Sequence, residues 1–122
     1  MFEGNSLIGQ ISKGKFPTEK VSTKYGEFSI EYPSGEDIQV IARKKASFCG
    51  GLPLNSFSVA DQFRFDIDAT LSVVLKEYPK DFPTKWESDD IVSFPDQEVK
   101  NALFKAFNIF FGKTQKGLSG KS

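Results

Sequence analysis

Histidine is absent from this 122-residue chain, and cysteine occurs once, as Cys49. Without histidine there is no Ser-His-Asp or Cys-His catalytic set, no imidazole ligand for a metal and no zinc-finger spacing. A single cysteine cannot close an internal disulfide, which is the expectation for a reducing compartment. Cys49 has no imidazole beside it to activate it, so its expected role is that of a small buried hydrophobe. Net charge is missing too: 16 Lys and Arg balance 16 Asp and Glu, so no overall field draws the chain to nucleic acid or to an anionic membrane. Apolar runs are short. Val73-Val74-Leu75 and Ile109-Phe110-Phe111 fall far below the roughly 20 residues of a membrane span. Met1–Asn5 has neither a basic start nor an apolar core, so no signal peptide is expected, and the expected setting is cytosol.

Phenylalanine is what the chain has in excess, with 13 copies in a sequence that is 39% hydrophobic. A chain of this length buries about two thirds of its unfolded surface, enough for one domain without staples. The expected organisation is a flexible arm over residues 1–20, one α+β domain over 21–112 and a mobile, lysine-rich tail over 113–122. The arm holds Gly9, Gly14, Lys13, Lys15 and Pro17, with at most one short strand around Leu7–Ile11. Phe28, Ile30 and Tyr32 alternate with Glu27, Ser29 and Glu31, the period of a half-buried strand, and Gly26 supplies a turn from a strand over 21–25. The expected fold is thus an N-terminal β-hairpin packed on about three helices.

Ser34, followed by Glu36 and Asp37, reads as the N-cap and first turn of one helix, and Gly50-Gly51 reads as its stop. Ser58 opens the longest expected helix. Its stripe Val59, Phe63, Ile67, Leu71, Val74 and Tyr78 keeps helical spacing until Pro79 ends it. A proline- and acid-rich connection over 79–95 leads to a third helix through Ser93, Pro95, Asp96 and Glu98, with Gly112 as its expected C-cap. Val99, Leu103, Phe104, Phe107, Phe110 and Phe111 cover most of that helix. An apolar circumference of this kind is either buried on several sides or offered to a partner.

The polar constellations carry little chemistry. Asp61, Asp66 and Asp68 read as a polar face partly neutralised by Arg64, with no motif that would make them an acid–base or metal set. Gly112-Lys113-Thr114 and Gly120-Lys121-Ser122 resemble the end of a phosphate-binding loop. Phe107 and Gln115 stand where its other glycine is required, so a nucleotide site is not expected. Residues 51–98 carry ten acids against four bases, and residues 99–122 carry five lysines and no acid. Lysines so dispersed read as a solvated extension, and nucleic acid is not an expected partner. No catalytic, cofactor-binding or metal residue is assigned, and no enzyme activity is expected.

Tyr25-Gly26-Glu27-Phe28 leading into Tyr32-Pro33-Ser34-Gly35-Glu36-Asp37, Ala42-Arg43-Lys44 before Gly50-Gly51, Ala69-Thr70-Leu71 before Tyr78-Pro79, and the acidic Trp86–Asp90 loop resemble the tail assembly chaperones of long-tailed bacteriophages and prophages. The resemblance covers about residues 20–112, and the arm before residue 20 departs from it. It implies a non-enzymatic protein of the host cytoplasm. Such a protein binds the tape-measure protein, promotes assembly of the tail-tube protein around it, and then leaves. It also implies a frameshifted longer form in many members, for which Gly120-Lys121 would suit the slip. Phe104, Phe107, Phe110 and Phe111 are the expected partner-binding residues, with self-association as a further use of the same surplus. The alternative is a structural component of the tail or head–tail joint, retained in the virion.

Overall fold

The computed structural model describes residues 16–83, 86 and 89–119. The strand expected around Leu7–Ile11 and the end at Gly120-Lys121 lie outside the described residues. Strands β1 (Thr18–Thr23) and β2 (Gly26–Glu31) form an antiparallel hairpin, with Thr23 opposite Gly26 and Thr18 opposite Glu31. Gly26 has φ of 123°, a conformation that L side chains rarely adopt, and this permits the tight return. Phe28 and Ile30 are fully buried. The hairpin thus forms as the alternation implied, except that β1 begins at Thr18, inside the expected arm, and ends at Thr23, leaving Lys24 and Tyr25 as the turn.

Helix α1 (Gly35–Phe48) starts with a complete capping box. Ser34 Oγ accepts from the Asp37 N–H, and Asp37 Oδ2 accepts from the Ser34 N–H, both at 3.0 Å. Gly50 and Gly51, both with positive φ, follow its end. No residue of α1 is fully buried, so it lies on the outside of the body. Helix α2 (Val59–Val74) is capped by Ser58 Oγ accepting from Asp61 N–H at 3.1 Å.

Two elements differ from the expectation. The α2 stripe does not run to Tyr78: the helix stops at Val74, and Leu75–Glu77 form a third strand, β3, antiparallel to β2. The fold is therefore α+β with a three-stranded sheet, in the order β1-β2-β3. Helix α3 (Gln97–Ser119) does not end at Gly112 and, at 23 residues, is the longest. Residues 113–119 of the expected mobile tail are its last two turns. Ser93 does not start α3 but lies in a 3₁₀ turn, Asp90–Ser93. The N-cap is Asp96, whose Oδ1 accepts from Val99 N–H at 3.2 Å.

The core joins Phe28 and Ile30 of β2 and Tyr32 just after it to Ile67, Leu71 and Val74 of α2 and to Val99, Leu103, Phe104, Phe107 and Phe110 of α3. Trp86 and Ile91, from the connection over 79–95, close it from the side. Rings of Phe28, Tyr78, Phe82 and Phe94 surround Trp86 with centroids 5.2–6.3 Å away. Its buried Nε1 has no hydrogen-bond acceptor among the described residues, a cost of about 1–3 kcal/mol that the ring packing offsets.

Candidate interaction surface

The four phenylalanines expected to meet a partner sit in or against the core. Phe104, Phe107 and Phe110 are 5–7% exposed, and Phe111 stacks on Tyr32 at 5.1 Å. In this arrangement Phe104, Phe107 and Phe110 offer a partner almost no surface, and Phe111 is half-buried. The physical reason is that α3 has neighbours on three sides, namely the sheet at Tyr32, α2 at Phe63 and Asp68, and the 3₁₀ turn at Ile91. Burial on several sides, rather than a free face, accounts for its apolar circumference.

Single apolar side chains such as Ile38, Val92 and Ile109 are about half exposed, but four of the exposed ones lie between the end of α1 and the first half of α2. Val59 is 82% exposed, Leu52 60% and Phe63 56%, and Leu54 is also exposed. They belong to the corner of the chain where α1 hands over to α2, Leu52 and Leu54 in the connection and Val59 and Phe63 in the first two turns of α2. The Leu54–Ser56 3₁₀ turn leads into Phe57, whose ring meets Phe65 edge-on at 5.0 Å and whose carbonyl accepts from Gln62 Nε2 at 2.9 Å. Val59 and Phe63 are one helical repeat apart and share a face. They are also the first two members of the stripe whose later members, Ile67, Leu71 and Val74, are buried. Leu52 and Leu54, with Ala42, Lys45, Ala46, Cys49 and Gly51, line a groove of about 350 Å³. Cys49 closes α1 as its C-cap and is buried, the role expected of it. Phe63 touches the edge of Phe104 at 5.7 Å, so the exposed corner adjoins the expected residues without including them.

The three aspartates of α2 are separated from one another in use. Asp61 pairs with Arg64 at 3.2 Å, Asp66 with Lys45 of α1 at 3.3 Å, and Asp68 with Lys100 of α3 at 3.1 Å. Asp68 and Lys100 are 3% and 2% exposed, and the Lys100 ammonium also donates to the Ile91 carbonyl at 3.0 Å. Burial pushes the Asp68 carboxyl above its ordinary range although Lys100 pulls it down. This pair joins α2, α3 and the 3₁₀ turn, and sequence spacing gave no sign of it.

Asp96 forms a second junction. Lys24 Nζ at 2.8 Å and Tyr25 Oη at 2.6 Å both donate to its Oδ2, tying the hairpin turn to the start of α3. These hydrogen bonds hold its carboxyl down to about 2. Among the described residues no group of three Cys, Asp or Glu side chains is placed to hold a metal ion, and no helix is long and apolar enough to cross a membrane.

No protein-family model, no curated protein and no solved structure matches the chain.

Proposed function

We propose that the chain is a non-enzymatic assembly chaperone of a bacteriophage tail, acting in the host cytoplasm, that binds the tape-measure protein and promotes assembly of the tail-tube protein around it. The resemblance over residues 20–112 supplies the biological setting. The observation that carries the binding part is the exposed apolar corner of Leu52, Leu54, Val59 and Phe63 on a body whose other large apolar side chains are mostly buried. A protein that keeps an aggregation-prone client in solution needs an apolar surface that its own folding leaves open. It releases the client only if that surface is small enough to bind weakly.

The test is co-expression of the tape-measure protein with the Leu52→Glu, Val59→Glu double variant. Both side chains are more than half exposed, so the variant keeps its fold and its far-ultraviolet circular dichroism. The expected result is loss of most of the soluble tape-measure protein. A folded double variant that solubilises it as well as the parent sinks the assignment of the corner. Quantitative mass spectrometry of purified particles beside the crude lysate separates this reading from a virion component. A departing chaperone is abundant in the lysate and missing from the particles.

A further inference from the structure

Strand β1 is an edge of the sheet among the described residues, and helix α3 runs beside it in the opposite direction. At one end, Lys24 and Tyr25 of the hairpin turn hold Asp96, the N-cap of α3. At the other, the Tyr32 N–H donates to the Pro17 carbonyl before β1, while the Tyr32 ring lies against Phe110 and Phe111 and its hydroxyl accepts from Gln115. Between strand and helix opens a groove of about 360 Å³, lined by Ser22, Thr23 and Lys24 on one side and Glu98, Val99 and Ala102 on the other. From Glu98 the same helical face continues through Ala102, Lys105, Ile109 and Lys113, all of them exposed, with Ile109 at 53%. The two elements match in length: six residues of strand span about 20 Å, and the helix from Glu98 to Ile109 about 17 Å.

We infer that this side of the molecule binds a second copy of the chain. The two β1 strands pair antiparallel about a twofold axis, and the two α3 helices meet below the joined sheet. An unrelated strand could also satisfy the backbone of an edge. The order of charge along α3 favours a copy of itself. Glu98 stands at one end of the exposed face, Lys113 at the other and Lys105 midway, and residues 99–119 contain no acid. An antiparallel twofold that sets Ile109 over the small Ala102 pairs each Glu98 with Lys113 of its mate, while the two Lys105 flank the axis, where their long side chains can turn outward to solvent. The strand agrees with this arrangement. Centred on Val21, the pairing sets Lys20 against Ser22 and Glu19 against Thr23, so like charges do not face each other.

Sedimentation equilibrium of the full chain, from about 1 to 200 μM, tests this. The expected species is a dimer of the 13.6 kDa chain. Ile109→Asp, at an exposed position, is expected to leave a folded monomer at every concentration. Glu98→Lys is expected to weaken the dimer about tenfold, and adding Lys113→Glu to the same chain to restore it. A parent chain that stays monomeric overturns the inference, including where the edge is then found to hold a client segment. So does a dimer that Ile109→Asp leaves intact, or a charge exchange that fails to restore it. None of these outcomes depends on the chaperone reading, which the particle and solubilisation assays decide separately.

Discussion

Replacing Lys100 by Met keeps the length and apolar stem of the side chain and removes only its charge. The change strands Asp68, 3% exposed, without its cation, and leaves the Ile91 carbonyl without the ammonium that reaches it at 3.0 Å. Breaking a buried pair by removing one partner costs about 3 kcal/mol or more. With a urea slope near 1.5 kcal/mol/M for a domain of this size, the unfolding midpoint should fall by about 2 M. The loss should depend on pH in a definite direction. The Asp68 carboxyl already titrates above its ordinary 3.8 because of burial, and Lys100 is the main influence holding it down. An acid with a raised folded pKa destabilises the fold as pH rises through the window above its unfolded value, because the folded state then loses a proton it holds more tightly than the unfolded chain does. Removing Lys100 raises that pKa further, so the gap between variant and parent should shrink as pH falls from about 7 to about 4.5. Adding Asp68→Leu should recover most of the stability at pH 7, because a well-packed apolar pair replaces the ionic one. Urea denaturation followed by the fluorescence of Trp86, the chain's single tryptophan, reads all three quantities. A destabilisation that does not change with pH, or a double variant no better than the single one, would refute the reasoning.

Gly26→Ala places a Cβ 2.8 Å from Pro79 Cβ at a φ of 123°, and should lower stability by about 1–3 kcal/mol in thermal melts. Asp96, held at about 2 by Lys24 and Tyr25, contributes stability that is complete above the ordinary 3.8 and lost as pH falls from there toward 2. Asp96→Asn should therefore flatten that acid limb of the melting temperature while retaining the α3 cap. Phe107→Asp with Phe111→Asp puts one carboxylate into the core and another against Tyr32. It should unfold the domain by circular dichroism rather than give a folded protein without client binding. Val59→Ser, at an 82% exposed site, should change stability by no more than about 0.5 kcal/mol.

Local sequence signals suffice where one short segment decides the outcome. The alternation of Phe28, Ile30 and Tyr32 marks β2, and Ser34 and Ser58 cap the helices they precede. Boundaries shifted where a distant segment decides instead. Val74, Leu75 and Tyr78 continue the helical stripe of α2 in spacing, yet the chain leaves the helix after Val74 because β2 offers a free edge with which Leu75 and Glu77 pair. A Cβ at Gly112 would meet nothing within 4 Å, so no close approach requires glycine there, and the helix goes on because Thr114 is buried and Gln115 bonds to Tyr32 beyond it. A glycine at this position costs the helix about 1 kcal/mol, which these contacts outweigh.

The burial of the expected partner residues has the same physical root. A helical wheel gives the angular spread of apolar residues on α3 but not how many neighbours the helix will have. With three neighbours, Phe104, Phe107 and Phe110 are used up in the core. Helix α2 looks more ordinary by its stripe, yet it runs past the end of its own cover. The apolar face of Ile67, Leu71 and Val74 is sealed, while Phe63 and Val59, one and two turns earlier, stand open. The sequence shows a single continuous stripe, and only the packing divides it into a sealed part and an open part. In a domain of this size, a stripe that outruns its cover is therefore a better guide to a docking surface than the helix richest in aromatic residues, because the richest helix is the one the core can least spare.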